Sequence, residues 1–303
     1  MTKRNTIAII YDFDGTLSPA PMQEYTVLPE IGIKPNTFWA EVKAETLRAR
    51  GEEIITYMML MLDRANTSKV SITRTNLGRL ASRIRFFPGV ATFFTRINTF
   101  VNAEFDREVH VRHYIISSGL KEILTRVSIK KYFYNVFASE YAYDHNGVAR
   151  YPKLVINDTI KTQFLFRINK GREELSESIN EYMHESERPI PFSNIVYIGD
   201  GFTDVPCMTV ATKNGGYAIA VYRPKQKKGL ATCQRLFEAG RVEFIAPADY
   251  RRGHELETCL KTILRSIGQS IYHHNQQYKN IRKHVKRRNR ERQNSISRKR
   301  NGK

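Results

Sequence analysis

The stretch Thr6-Ile7-Ala8-Ile9-Ile10-Tyr11-Asp12-Phe13-Asp14-Gly15-Thr16 decides the fold. Its first six residues are almost all apolar and rich in β-branched side chains, which is typical of a strand buried on both faces of a parallel sheet. Similar runs recur at 114–116, 134–138, 195–198 and 217–221. Helical patterns at 120–128, 160–170 and 204–212 separate these runs. This alternation predicts an α/β fold, a three-layer Rossmann-like domain built on a parallel sheet.

One region interrupts the alternation. Residues 18–87 contain helical patterns at 38–50, 52–65 and 75–85 and no convincing strand. We therefore expect residues 1–17 and 88–268 to form the α/β core, and residues 18–87 to form a small helical cap over the sheet edge. Residues 269–303 are expected to form a basic C-terminal helix and tail, partly disordered, with disorder from Asn289 onward. The sequence Asp144-His145-Asn146-Gly147 predicts a hairpin turn.

Charge and composition limit the class of protein. The 303 residues carry a net charge of +19, and twelve Lys or Arg lie in residues 279–303 against a single acid, Glu291. Such a tail could make nonspecific electrostatic contact with nucleic acid, or it could only aid solubility. The three cysteines are scattered, so neither a disulfide framework nor a zinc site is indicated. No apolar run is long enough for a membrane span, and we expect a cytoplasmic protein. The oligomeric state cannot be read from the sequence.

Polar residues follow the predicted strands at the edge where their carboxyl ends meet. Asp12 and Asp14 follow the first strand, Ser117 follows the second, and the segment GDGFTD at 199–204 follows another. Carboxyl ends of parallel strands lie at one edge of a sheet, where ligands bind. Several buried acids at one place raise each other's pKa unless a hard divalent cation offsets their charge. The pattern therefore predicts a Mg²⁺ site that also receives a phosphate group.

The chemistry follows from these residue types. Asp12 is placed to attack phosphorus and form an aspartyl-phosphate, and Asp14 to act as general acid and then general base. Ser117 and Lys161 would bind the phosphoryl oxygens. Gly15 and Gly201 would permit tight turns close to the ligand.

These motifs resemble those of the haloacid dehalogenase-like hydrolase superfamily. DFDGT at 12–16, ISSG at 116–119, a lysine and GDGFTD at 199–204 occur in the order of that family's four motifs. The resemblance implies that Mg²⁺ is held by the Asp12 side chain, the Asp14 carbonyl and Asp200, with Asp204 supporting the site. It also implies that Thr16 orients the catalytic loop. The second acid at Asp14, the helical insert and the GDGxxD segment are similar to the phosphoserine phosphatase-like branch.

Two site assignments leave alternatives open. Lys161 and Lys170 are both candidates for the phosphate-binding role. Lys161 is preferred because it lies at the start of a predicted helix, at the sheet edge where the acids are expected. Glu24 lies at the start of the cap, where it could meet a substrate amine or could only be a favourable acid in a first helical turn. The expected substrate-binding residues are Thr16, Ser117, Ser118, Gly119 and Glu24.

The function that the sequence predicts is a Mg²⁺-dependent phosphomonoester hydrolase acting on a small phosphorylated metabolite. Two alternatives remain. One is a phosphatase or nucleotidase for nucleic-acid ends or nucleotides, recruited by the basic tail. The other is a nucleic-acid-binding protein with a vestigial hydrolase scaffold, which the intact acids argue against.

Overall fold

The chain folds around one seven-stranded sheet of order β4-β3-β2-β1-β5-β6-β7. The computed structural model describes the backbone of residues 4–300 and the side chains of residues 4–286. The strands are β1 Thr6–Tyr11, β2 His110–Leu120, β3 Phe133–Tyr143, β4 Ala149–Leu154, β5 Ile195–Gly199, β6 Tyr217–Tyr222 and β7 Phe244–Pro247. All neighbouring pairs are parallel except β3 and β4, which form an antiparallel hairpin. The predicted α/β class with a mostly parallel sheet is confirmed.

The helices form the other two layers and an insert. They are α1 Met22–Tyr25, α2 Val27–Glu30, α3 Pro35–Ala49, α4 Glu53–Thr67, α5 Arg74–Leu80, α6 Val90–Glu104, α7 Lys121–Leu124, α8 Ile160–Lys170, α9 Val205–Lys213, α10 Lys227–Glu238 and α11 Glu255–Arg300. Helices α6 and α11 cover one face of the sheet, and α8, α9 and α10 cover the other. Helices α1 to α5 all lie between β1 and α6.

Strand β1 shows how the sequence specifies the layers. Ile7, Ile9 and Tyr11 are buried in the apolar cluster on one face, whereas Ala8 and Ile10 are buried in the cluster on the other. Because successive side chains of a strand point to opposite faces, an uninterrupted apolar run is what a strand between two helical layers requires. β1 is also central, since it pairs with both β2 and β5. Its carboxyl end therefore lies at the middle of the sheet edge where the carboxyl ends of the parallel strands meet.

One local expectation was wrong. The helix expected at 120–128 is only the four-residue α7, because Leu120 still pairs with Ser139 of β3 and the chain then turns back toward β3 at Phe133. The helix expected at the start of the C-terminal segment is present, since the backbone of α11 runs from Glu255 to Arg300. Residues 269–300 contain no Gly or Pro and many Lys, Arg and Gln, which are good helix formers. The disorder expected from Asn289 onward stays a prediction.

Helix α11 packs on the core only over its first part. Its residues Leu256, Leu260, Leu264 and Ile267 are buried, while Val285 is 48% exposed. No helix among residues 4–300 has the length and apolar composition that crossing a membrane requires. The side chains of the basic tail beyond residue 286 lie outside the described part of the chain.

Candidate active site

Three carboxylates converge at the carboxyl edge of the sheet. Asp12 follows β1, Asp200 follows β5, and Asp204 lies one turn further along. One oxygen of each can be chosen so that all three lie within 4.8 Å of one another. Asp12 and Asp204 are buried and Asp200 is partly buried. Acids separated by up to 192 residues in sequence thus form one compact group (204 − 12 = 192).

The electrostatics of this group favour a bound cation. Burial, with the added charge of Asp204, raises the pKa of Asp12 to about 6 although Lys161 lowers it. Burial and the charges of Asp12 and Asp204 raise the pKa of Asp200 well above its usual value. Hard oxygen ligands within reach of one point suit Mg²⁺, whose charge would remove the mutual repulsion of these acids. The residues present therefore fit the ion, and the side chains of Asp12 and Asp200 would hold it.

Lys161, in the first turn of α8, joins the group. Its ammonium donates hydrogen bonds to Asp12 Oδ1 at 2.7 Å and to Asp204 Oδ1 at 2.8 Å, and its side chain is buried. Burial opposes its charge, but Asp12 and Asp204 raise its pKa well above the usual value. Lys170 lies at the other end of α8, where it donates to the carbonyl oxygens of Ile179 and Glu181. The structure places Lys161, and not Lys170, at the acids.

Asp14 stands beside the three carboxylates with a separate set of contacts. Its Oδ1 accepts a hydrogen bond from the backbone N–H of Met22 at 2.9 Å, and its side chain lines the adjoining cavity. Burial, followed by the charge of Asp12, raises its pKa well above the usual value. A carboxyl group that keeps its proton near neutral pH can donate it to a leaving group.

The two glycines that sequence reasoning grouped together differ in the structure. Gly15 has a φ of +88°, and a Cβ there would lie 2.1 Å from Asp200 Oδ2, so only glycine lets the two segments approach. Gly201 has an extended φ of −150°, and a Cβ there would meet no atom within 4 Å among the described residues. The expected tight turn does begin at Gly201, because the Asp204 N–H donates to the Gly201 carbonyl oxygen at 3.1 Å, but the φ of Gly201 does not require a glycine. Asp204 also holds this loop by accepting the Asp200 N–H at 3.1 Å.

A cavity of about 350 Å³ lies over these groups. It is lined by Asp12, Asp14, Pro21, Gln23, Glu24, Trp39, Glu53, Ile54, Tyr57, Ser117, Ser118, Gly119, Lys161 and Thr203. Strand ends supply one side, and α1, α3 and α4 supply the other. Within the 117–119 segment, the Gly119 N–H donates to Ser117 Oγ at 3.0 Å, and the Ser118 carbonyl accepts from Tyr57. The structure therefore brings the predicted serines to the acids.

Thr16 and Glu24, both predicted to bind substrate, lie at different places relative to the cavity. Thr16 is fully buried and does not line the cavity, and its carbonyl oxygen accepts from the Tyr250 hydroxyl at 2.8 Å. It can support the loop but does not reach a ligand in this cavity. Glu24 does line the cavity, and its Oε1 accepts from the Trp39 indole N–H at 2.9 Å.

Sequence reasoning missed Tyr197, a buried residue of β5. Its hydroxyl donates to Asp204 Oδ1 at 2.7 Å, so both oxygens of Asp204 are held by protein donors. In the sequence Tyr197 is only one apolar member of a strand. No local signal distinguishes it, because the contact arises from the turn that brings Asp204 back under the strand.

The sequence resembles those of known proteins. The family model described as haloacid dehalogenase-like hydrolase matches residues 9–209. A protein of Borreliella burgdorferi, described as uncharacterized, is 30% identical over an alignment of 278 residues that covers 84% of this chain and 95% of that protein.

Solved structures agree in fold. A phosphoserine phosphatase bearing an analogue of its phospho-aspartyl intermediate has 14% identity and a TM-score of 0.54, covering 85% of this chain and 99% of that one. A probable phosphoserine phosphatase from Vibrio cholerae has 12% identity and a TM-score of 0.55, covering 89% of this chain and 67% of that one. A HAD family hydrolase of Salmonella enterica serovar Typhi has 16% identity and a TM-score of 0.54, covering 86% of this chain and 71% of that one. Because the family model matches residues 9–209, about two thirds of its length, the chain belongs to the haloacid dehalogenase-like hydrolases.

Proposed function

We propose that this hydrolase is a Mg²⁺-dependent phosphomonoesterase that works through an aspartyl-phosphate on Asp12. The observation that carries the proposal is the buried group in which Asp12 lies with Asp200, Asp204 and Lys161 beside a cavity. A carboxylate is a weak nucleophile, and it attacks phosphorus well only where positive charge offsets that of the phosphoryl oxygens. Bound Mg²⁺ would supply such charge at Asp12 and Asp200.

The residues then have separate tasks. An oxygen of Asp12 forms a bond to phosphorus while the bond from phosphorus to the ester oxygen breaks, and Asp14 gives its proton to that oxygen as the alcohol leaves. Water next attacks the phosphorus of the aspartyl-phosphate, and Asp14 takes the proton of the water. Orthophosphate leaves and the Asp12 carboxylate is restored. Ser117 and Lys161 bind the phosphoryl oxygens through both steps.

Residues 18–87 are proposed to act as the cap over this site. The helices of that segment contribute Glu24, Trp39, Ile54 and Tyr57 to the cavity wall facing the acids. Closure of such a wall would exclude bulk water and strengthen the electrostatic contacts inside. A volume of about 350 Å³ is near the lower end for small-molecule sites, which favours a metabolite over a nucleic-acid end.

The test is hydrolysis of p-nitrophenyl phosphate by the purified chain with Mg²⁺, compared with the same protein in excess EDTA. We expect turnover only with the metal. Asp12→Asn should lower kcat by about 1,000-fold or more, as loss of a nucleophile does. Asp63→Asn, an exposed acid on α4, is the matched control and should keep full activity. Acid-quenched enzyme should carry one phosphoryl group on the peptide containing Asp12, and turnover without Mg²⁺ or in Asp12→Asn would refute the proposal.

A further inference from the structure

Two aromatic rings form a corner in the cavity wall opposite the acids. Trp39 of α3 and Tyr57 of α4 both line the cavity, and their ring centroids are 5.9 Å apart with an angle of 67° between the planes. Tyr57 is held in place because its hydroxyl donates to the Ser118 carbonyl at 2.7 Å. Faces of aromatic rings set at an angle attract an organic cation, and quaternary ammonium groups are commonly bound in this way.

Two carboxylates stand at the same wall. Glu24 accepts the Trp39 indole N–H through Oε1, and its other oxygen accepts no hydrogen bond from any residue the structure describes. Glu53, in the first turn of α4, also lines the cavity. The bond between Glu24 and Trp39 fixes an acid against an aromatic ring. A cation resting on that ring would therefore meet a negative charge as well.

Among the described residues, the remaining lining offers no free positive charge to a distal carboxylate. Among the described lining residues Lys161 is the one cation, and Asp12 and Asp204 already take its hydrogen bonds. Gln23 is almost completely buried at this wall, and its Oε1 has no hydrogen-bond partner in the described part of the chain. That oxygen can accept from an N–H group. An anionic group would instead face Glu24 and Glu53, which costs free energy in a partly desolvated site.

We infer that the substrate is the phosphomonoester of a small cationic amino alcohol, of the type of ethanolamine phosphate or choline phosphate. This inference rests on the phosphatase function proposed above and specifies its substrate class. The phosphoryl group lies at Asp12, and the ammonium group lies between Trp39, Tyr57, Glu24 and Glu53. Hydrolysis of the phosphorus–oxygen bond releases the free amino alcohol and orthophosphate. Phosphoserine, which adds a carboxylate to the same skeleton, is disfavoured by this wall.

The substrate test compares molecules of one shape and different charge. With Mg²⁺ present, kcat/KM is measured for choline phosphate and for 3,3-dimethylbutyl phosphate, its neutral isostere, and for ethanolamine phosphate and phosphoserine. We expect a preference of about tenfold or more for choline phosphate over the isostere, and for ethanolamine phosphate over phosphoserine. Equal rates for the isosteric pair, or a preference for phosphoserine, would overturn the inference. If p-nitrophenyl phosphate is also inert, the phosphatase proposal itself fails.

Variants of the two cavity glutamates test whether they cause the preference for a cationic substrate. Glu24→Gln should lower the ratio of kcat/KM for choline phosphate to that for the isostere by about tenfold, mainly through KM, because a charge-assisted contact is lost. Asp63→Asn is the control and should leave the ratio unchanged. The ratio is taken within one preparation, so any unfolded fraction cancels. An unchanged ratio in Glu24→Gln and in Glu53→Gln would refute a carboxylate-lined cation site.

Discussion

Asp200→Asn is expected to change stability in opposite directions with and without Mg²⁺. The Asp200 carboxylate accepts no hydrogen bond from another residue in the part of the chain that the structure describes, so the substitution breaks no such contact. It removes a charge whose oxygen lies within 4.8 Å of oxygens on Asp12 and Asp204. At an effective dielectric constant of about 20, two charges at that distance repel by about 3.5 kcal/mol.

The expected gain is smaller than this repulsion. Attraction by Lys161 offsets part of it, and the pKa of Asp200 is raised by burial and by the charges of Asp12 and Asp204, so proton binding can relieve part of the repulsion. We therefore expect Asp200→Asn to raise the free energy of unfolding in EDTA by about 1–2 kcal/mol, which is a Tm rise on the order of 3 °C. In Mg²⁺ at about 100 times its Kd, the wild-type chain gains about 2.7 kcal/mol. The variant lacks a ligand and should gain little.

The assay is thermal unfolding followed by circular dichroism at pH 7.5, in EDTA and in excess Mg²⁺. The variant should be the more stable protein in EDTA and the less stable one in Mg²⁺. Asp63→Asn should match the wild type in both buffers. A variant that is destabilised in EDTA, or that gains as much from Mg²⁺ as the wild type does, would show that Asp200 is not one of a group of mutually repelling metal ligands.

Two further predictions concern backbone approach and a buried histidine. Gly15→Ala and Gly147→Ala both place Ala at a positive φ, but only at position 15 would the Cβ strike Asp200. Both variants should lose about 1 kcal/mol of stability. Only Gly15→Ala should also lose activity, by about 100-fold or more. Burial lowers the pKa of His113 to about 3, so the unfolded chain binds the extra proton and stability falls as pH drops below about 6.5. This loss should reach about 2 kcal/mol at pH 5 in urea unfolding, and it should be absent in His113→Gln; equal losses in both proteins would contradict it.

The sheet and its acids could be predicted from sequence because each depends on a local pattern. Apolar runs identify the strands, and the rule that parallel strands end at one edge places Asp12 and Asp200 together without any knowledge of packing. The same rule separates Lys161 from Lys170, since the two ends of α8 lie at opposite edges. The hairpin turn at 144–147 followed from its Asn-Gly sequence, and β3 and β4 confirm it.

Other features depend on contacts that no local pattern records. Trp39 and Glu53 belong to different helices of the insert, and their meeting at one cavity depends on how those helices pack. Tyr197 has the sequence environment of any buried strand residue, and its role comes from a hydrogen bond to Asp204 across the turn. Strand β7, with only four residues, carries too short a pattern to be recognised.

The charges of the cavity are divided between its two sides, and this division determines how a ligand must lie. On the side of the strand ends, Lys161 and the metal proposed at Asp12 would provide positive charge for a phosphoryl group. On the side of the helices, Glu24 and Glu53 provide only negative charge, with no described cation to balance them. A dianion entering reversed would meet repulsion at one side and lose its cations at the other. A ligand with an anionic and a cationic end is therefore oriented by the cavity, and that orientation places its phosphorus at Asp12 before any chemistry begins.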